Sequence, residues 1–297
     1  MNIFDGDLVL EIGSGDNPNP RADVLCDRYS TTSHERAGGF RIRIDRPLAV
    51  ADGMRLPFPN QTFDYVICSH IFEHMDDPAG FAREIMRVGK AGMIEVPSAI
   101  SERVFGWNFH HWFCALHDGV LTFCPKKEGE RPPAGRAGFD GYFHRLIAQN
   151  IWFRRFFEEH EEEWYTRLEW QGKIPTRIRI RPMSQDEMNV LDEKAWKLLS
   201  DAYPEVLKDL VFVVRFFFRR AIRKSRKTIR SVLWWVNKRT GRRKIIESLM
   251  RICVCPRCLG KLRKIGEMIL CEKCKSEFPL DGVIPILLLP EERKKGW

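Results

Sequence analysis

The sequence predicts an α/β protein. We expect a doubly wound parallel sheet with an aromatic- and histidine-rich cap, a basic helical segment and a small C-terminal ribbon. Residues 1–100 alternate short apolar runs with turn-rich stretches, a pattern typical of α/β domains. One apolar run leads directly into a Gly-x-Gly turn at Gly13 and Gly15. Two Cys-x-x-Cys pairs, twelve residues apart, stand near the C-terminus and predict a metal-binding ribbon.

Five apolar runs in the first hundred residues supply the strands of the sheet. They are Leu8–Ile12, Ala22–Cys26, Leu48–Ala51, Phe63–Cys68 and Ala91–Val96. Before the fifth run, residues 77–88 repeat apolar side chains at helical spacing, which predicts a crossover helix. Between the first and second strands, two prolines in a short connection predict a very short helix.

Residues 101–180 differ in composition and predict an elaborated cap. They are rich in aromatic residues, histidine, glycine and proline, with turn signals at 117–119 and 171–172. Trp164–Trp170 and Lys173–Ile180 are expected to be late strands, and residues 186–247 are expected to be helical.

The basic charge is concentrated in one segment. The chain has 297 residues and a net charge of +9, but residues 211–246 hold 13 Lys/Arg and no Asp/Glu, which leaves a net charge of −4 elsewhere. This distribution predicts a local cationic patch.

The cysteines, the start of the chain and the length of its apolar runs indicate the cellular compartment. Nine cysteines, of which four lie in the two pairs, argue against a secreted disulfide framework. The start of the chain does not resemble a signal peptide, and no apolar run reaches the roughly 18–20 residues that span a bilayer. These features predict a cytoplasmic protein.

Ligand-binding residues are expected where the parallel strands end. Glycines at Gly13 and Gly15 allow a sharp turn and the close approach of a ligand. Asp27 closes the second strand and suits the two hydroxyls of a ribose. Asp52 follows the third strand and could accept a hydrogen bond from an adenine amine, and Ser69 closes the fourth strand.

Together the segments EIGSG, ADGMRLPFPNQTFDYVICSHIFEHMDDP and AGMIEVPS resemble the class I S-adenosylmethionine-dependent methyltransferases of the type 11 group, over about residues 8–98. The resemblance implies a Rossmann-like sheet, S-adenosylmethionine as cofactor and methyl transfer to an acceptor. The implied cofactor-binding residues are Glu11, Gly13, Ser14, Gly15, Asp27, Asp52, Gly53, Met54 and Ser69. A nicotinamide-binding enzyme is disfavoured because the full Gly-x-Gly-x-x-Gly spacing is missing.

An oxygen acceptor usually needs a general base, and histidine is the natural one. His70 ends the fourth strand, and His110 and His111 follow the fifth, so these three are the candidate catalytic residues. His74 is interpreted as structural. A metal site built from His110, His111, His117 and Asp118 is an alternative that lacks a metal-ligand register.

Two further segments bear on the acceptor. The stretch from HHWF to Lys126 resembles methyltransferases of surface-polysaccharide and glycolipid synthesis, which implies a glycan or lipid-linked substrate. Residues 210–244 predict a helix with apolar and aromatic side chains on one face and cations elsewhere. Such a helix suits an anionic membrane surface, and nucleic acid is the alternative partner.

Cys255, Cys258, Cys271 and Cys274 are predicted to form a tetrahedral Zn²⁺ site, with Cys253 as a spare thiol. A redox role for the two pairs is the weaker alternative. The segment EFPLDGVIPILL resembles the closing strand of the zinc-ribbon activators of tRNA, rRNA and release-factor methyltransferases, over about residues 252–290. The resemblance implies an activator fused to its enzyme.

The predicted organisation is therefore threefold. Residues 1–185 form the methyltransferase domain with its cap (101–180), residues 186–250 the basic helical segment and residues 251–297 the zinc ribbon. The predicted activity is methylation of a hydroxyl on a membrane-associated glycan or lipid-linked precursor, at the inner face of the cell membrane. The alternatives are a tRNA or translation-factor methyltransferase and a cofactor-binding protein without catalysis. The sequence leaves the oligomeric state open.

Overall fold

The computed structural model describes residues 3–30, 42–127, 139–240 and 242–293. The strands are β1 Val9–Ile12, β2 Val24–Asp27, β3 Leu48–Val50, β4 Phe63–Ser69, β5 Gly89–Pro97, β6 Trp112–His117, β7 Val120–Pro125, β8 Tyr165–Gln171, β9 Thr176–Ile178, β10 Leu262–Ile265, β11 Met268–Cys271, β12 Glu277–Asp281 and β13 Ile284–Pro285. The helices are α1 Pro78–Val88, α2 Ala99–Phe105, α3 Phe139–Gln149, α4 Ile151–Glu159, α5 Glu161–Trp164, α6 Gln185–Ser200, α7 Val206–Thr240, α8 Arg242–Ile252 and α9 Pro290–Arg293.

The main sheet has the order β3-β2-β1-β4-β5-β8. Its first five strands are parallel, and β8 runs antiparallel to β5. The order reverses between β1 and β4, where Ile12 lies between Cys26 and Cys68. The carboxyl ends of these strands therefore open a crevice at the switch point, the place where doubly wound sheets bind ligands. This confirms the predicted α/β fold class.

Two connections between the strands of the main sheet were predicted to be helical. Residues 13–23 are fully described and contain turns but no helix, so the predicted short crossover helix is wrong; Pro18 and Pro20 account for this. The predicted helix after β4 is present as α1. Asp77 caps it by accepting a hydrogen bond from the backbone N–H of Gly80 (2.8 Å), with Pro78 in its first turn.

The cap is built on a second, three-stranded sheet in the order β6-β7-β9. Asp118 and Gly119 have φ values of +51° and +74° and form the tight turn between β6 and β7, as the turn signal predicts. The predicted strand at 173–180 is shorter, at Thr176–Ile178, and belongs to this cap sheet. A separate apolar cluster that includes Phe105, Phe153 and Trp164 holds the cap helices together.

The segment 186–247, predicted to be helical, lies within α6, α7 and α8. With 35 residues, α7 is about 50 Å long. It contacts the cap through α4 and the ribbon side through α8. None of the helices in the described ranges is long and apolar enough to span a bilayer.

The C-terminal domain is a four-stranded antiparallel ribbon that docks against the edge of the main sheet. After β13, Ile286 forms a parallel bridge with Val50 of β3, and the N–H of Leu287 donates to the Val50 carbonyl (2.7 Å). The N–H of Val254 donates to the carbonyl of Pro57 (2.8 Å). Apolar side chains of both parts form one continuous core, so the ribbon covers an edge strand that would otherwise expose unpaired backbone groups.

Candidate functional site

The glycine turn after β1 forms the floor of the crevice. Gly13 and Gly15 have φ values of +72° and +54°, which disfavour L side chains. A Cβ atom on Gly13 would overlap the side chain of Ile71. A Cβ atom on Gly15 would meet nothing, so this side of the turn is open.

Two polar side chains beside the turn are buried. The hydroxyl of Ser14 is enclosed and has no hydrogen-bond partner among the described residues. The carboxylate of Glu11 accepts a hydrogen bond from the N–H of Asn19 (2.7 Å). Burial raises the pKa of Glu11 to about 7, because the charged form is poorly solvated there. An orphaned hydroxyl next to an open glycine turn fits a polar ligand in the crevice.

The two aspartates predicted to hold the nucleoside lie at the ends of neighbouring strands. Asp27 is buried and accepts a hydrogen bond from the N–H of Tyr29 (3.0 Å). Asp52 follows β3, caps the short 3-10 turn Gly53–Arg55 by accepting from the N–H of Met54 (2.9 Å) and forms an ion pair with Arg28. Ser69, the last residue of β4, is half-buried beside the same crevice. The predicted cofactor residues therefore converge on the carboxyl edge of the sheet.

His70 follows β4 directly and has a φ of +57°, a conformation that costs energy outside glycine. Its Nδ1 lies 3.4 Å from Oε1 of Glu73, and its Nε2 lies 3.4 Å from Oε1 of Glu95. Burial disfavours the charged ring, but the two carboxylates outweigh it and raise the pKa of His70 to about 9. Both ring nitrogens of His70 therefore face carboxylates.

The other two candidate bases differ from each other. His110 is 4% exposed, and its Nδ1 lies 2.6 Å from a carboxylate oxygen of Glu102. His111 is more accessible, and its Nδ1 lies 3.0 Å from the exposed carboxylate of Asp76. A carboxylate on Nδ1 orients a histidine ring. His111 is the more accessible of the two, so it is the better candidate for a general base.

The alternative metal site in the cap is not formed. His117 and Asp118 lie at the tip of the β6–β7 hairpin, whereas His111 precedes the opposite end of β6. A strand of that length separates them by about 20 Å. Sequence reasoning missed Glu73, which lies within 4.8 Å of His74 and His110. The spacing His70-x-x-Glu73-His74 was the signal available for it.

The four ribbon cysteines form a compact group. All four sulfur atoms lie within 4.8 Å of one another, and two pairs are 3.5 and 3.6 Å apart. Four thiolates at about 2.3 Å from a tetrahedral zinc ion would be roughly 3.8 Å apart, so the group fits such an ion. Hydrogen bonding to Ser276 lowers the pKa of Cys274 to about 6, whereas burial raises the pKa of Cys255 to about 12. Cys253 lies outside the group, and burial raises its pKa to about 12.

Parts of the chain are similar in sequence to known proteins. Residues 24–94 match the family model for a methyltransferase domain, Methyltransf_11. Ajmaline N-methyltransferase of Rauvolfia serpentina is 32% identical over 94 residues, 26% of this chain, and the chain spans only about a third of that relative (32%). A UPF0434 protein of Vesicomyosocius okutanii is 36% identical over 50 residues, 17% of this chain and 85% of the relative.

Among solved structures, the complex between the Haloferax volcanii Trm112 methyltransferase activator and a putative methyltransferase has a TM-score of 0.25 at 20% identity. It covers 33% of this chain and 47% of that one.

A parallel sheet with a glycine turn and acidic strand ends at its switch point is the arrangement in which α/β proteins bind nucleosides. Residues 24–94 match a methyltransferase domain, so this part of the chain is similar to S-adenosylmethionine-dependent methyltransferases. Over about 50 residues the chain also belongs to the UPF0434 family.

Proposed function

We propose that the enzyme methylates a hydroxyl of a membrane-associated glycan or lipid-linked precursor, and that α7 holds it on an anionic membrane surface. The observation that carries the proposal is an apolar stripe along α7 that is exposed to solvent. It consists of Leu207, Leu210, Val211, Val214, Phe217, Phe218, Ile222, Ile229 and Val232, which are 39–79% exposed. At 3.6 residues per turn these side chains share one face.

The border and the opposite face of α7 are cationic. Arg215, Lys224 and Arg226 flank the stripe, where long side chains can reach lipid headgroups while the stripe enters the acyl boundary. Each cation near an anionic surface contributes about 1 kcal/mol. An exposed apolar stripe has no use on a nucleic-acid phosphate backbone, so the arrangement favours a membrane over RNA.

A groove with mostly cationic walls lies beside α7. It has a volume of about 1320 Å³ and is lined by Arg154, Arg215, Arg219, Arg223 and Lys227, among others. Its walls also include Tyr165 and Arg43. The ring centroid of Tyr165 lies 5.2 Å from that of His70. The backbone N–H of Arg43 donates to the carbonyl of Gly15 (2.9 Å). A phosphate-bearing acceptor held in this groove would reach both the glycine turn and His70.

The residues of the crevice have separate tasks in the proposed reaction. S-adenosylmethionine, when bound, supplies an activated methyl group on a sulfonium, so positioning dominates the chemistry. We assign binding of its polar groups to Glu11, Ser14, Asp27 and Asp52. We assign acceptance of the hydroxyl proton to His111. His70, held between Glu73 and Glu95, would border the acceptor.

We also infer that the cysteine group holds a structural zinc ion. A ribbon of this size has little core of its own, and a zinc ion would supply the missing stability. The docked ribbon would then keep β3 in place and, through Arg28, which contacts both Asp52 and the carbonyl of Glu292, steady the cofactor site.

Vesicle flotation tests whether α7 binds an anionic membrane surface. The wild type should float with vesicles that contain phosphatidylglycerol and remain behind with pure phosphatidylcholine. Replacing Phe217 and Phe218 by serine should lower the bound fraction at least about tenfold, because each buried Phe contributes roughly 1.5–3 kcal/mol. Trp196→Ser, at an exposed aromatic residue on α6, is the control and should bind like the wild type. Equal binding of all three proteins, or none to anionic vesicles, would contradict the proposal.

A further inference from the structure

Glu73, His74 and His110 form a cluster behind His70 that the crevice does not explain. One potential ligand atom from each lies within 4.8 Å of the others. We propose that these three side chains bind a divalent cation, Zn²⁺. The site is separate from the four ribbon cysteines.

The cluster contains buried polar atoms that have no hydrogen-bond partner among the described residues. The side chain of Glu73 is fully buried, and within the described residues neither of its carboxylate oxygens has a hydrogen-bond partner. The nearest cation, Nδ1 of His70, is 3.4 Å away. Nδ1 of His74 is also buried without a partner among those residues. Such groups are costly to bury, and a shared metal ion would satisfy both.

A buried carboxylate orients the ring of His110. Its Nδ1 is 2.6 Å from Oε2 of Glu102, and the other oxygen of Glu102 pairs with the buried ammonium of Lys126. A metal-ligating histidine characteristically donates its second ring N–H to a carboxylate, which fixes its tautomer and orientation. The contact with Glu102 therefore leaves Nε2 of His110 as the ring atom available to a metal.

The ligand chemistry selects the ion. Two imidazoles and one carboxylate form a ligand set that binds Zn²⁺ with an open position for water or substrate. The same set suits Fe²⁺, but methyl transfer involves no net redox change, so a redox-inert ion suffices. Glu73 and His74 follow β4 within a few residues of Ser69, at the carboxyl edge of the sheet. The ion would therefore lie beside the cofactor crevice.

The bound ion would neutralise the buried carboxylate of Glu73 and hold the rings of His74 and His110 in place beside the crevice.

The test counts zinc in the full-length protein. The purified chain is incubated with excess Zn²⁺, freed of unbound ion by gel filtration and measured by mass spectrometry. The wild type should hold about two zinc ions, one in each site. Glu73→Gln and His110→Asn should hold about one, and Glu102→Gln should bind the second ion 10–100-fold more weakly in a calorimetric titration. Glu95→Gln, which removes the other carboxylate beside His70, is the matched control and should keep both.

The outcomes separate the cation site from the proposed acceptor. A wild type with about one zinc ion, or a count that Glu73→Gln and His110→Asn leave unchanged, overturns the site whatever the acceptor is. Cofactor binding by each variant, measured in parallel, shows that it is folded. Two zinc ions with loss of one in Glu73→Gln support the site even if methyl is later found on another class of acceptor.

Discussion

At the scale of single residues, Glu11 links folding to pH. Its carboxyl is buried at the end of β1, and burial raises its pKa from 4.5 to about 7. The folded state therefore binds this proton more tightly than the unfolded state. Between about pH 4.5 and 7 this group lowers the free energy of unfolding as pH rises, because the unfolded chain loses its proton first.

Glu11→Gln should remove this fall in the free energy of unfolding with rising pH. The amide would still offer an oxygen to the N–H of Asn19. The variant should match the wild type near pH 4.5 and be more stable at pH 8, by on the order of 1–3 kcal/mol. Urea unfolding at both pH values, without cofactor, measures the difference. A stability difference that is the same at both pH values would show that Glu11 titrates normally.

The sequence predicted part of the candidate site in the crevice and missed the rest. Gly13, Gly15, Asp27 and Asp52 could be placed because strand ends in a parallel sheet converge, whatever the detailed packing. Glu73 could not, because its surroundings come from β6 and the cap, which lie far away in the sequence. The same long-range packing buries His110 and leaves His111 more accessible, a difference that two adjacent histidines do not reveal in sequence.

At the scale of elements, the ribbon and β3 stabilise each other. The hydrogen bond from Leu287 to Val50 and the shared apolar core join the two parts. The paired cysteines predicted the ribbon itself, since their spacing is local. Its docking on β3 depends on an edge that only the folded sheet creates. The outward direction of the apolar face of α7 was likewise not predictable, because helical periodicity defines a face but not its neighbour.

Cys271→Ser tests the coupling between these elements. The variant should lose the ribbon zinc, lower the unfolding temperature and weaken S-adenosylmethionine binding, because the released ribbon no longer steadies β3 and Arg28. Metal analysis, thermal unfolding and calorimetry measure the three effects. Cys253→Ser makes the same chemical change at a buried thiol outside the cluster and should retain the metal. Cofactor affinity that survives loss of the zinc would contradict the coupling.

At the scale of the whole molecule, three surfaces meet around the crevice. The glycine turn lies on the main sheet, the histidines lie where the sheet meets the cap, and the cationic groove lies between the cap and α7. Most of the apolar stripe of α7 is exposed to solvent, and Leu207 and Val211 at one end of it also line the groove. The proposed function requires that an acceptor with a lipid anchor and a phosphate reach the methyl donor from this groove.

The proposed methyl acceptor is a membrane-associated glycan or lipid-linked precursor. The most direct measurement incubates the full-length enzyme with radiolabelled S-adenosylmethionine and a host extract that includes membranes. Label is then counted in the solvent-extractable, RNA and protein fractions. We predict label in the solvent-extractable lipid and glycolipid fraction, reduced when Phe217 and Phe218 are replaced by serine. Label confined to RNA or protein would contradict the account and favour a tRNA or translation-factor acceptor, and no transfer to any fraction would favour a cofactor-binding protein without catalysis.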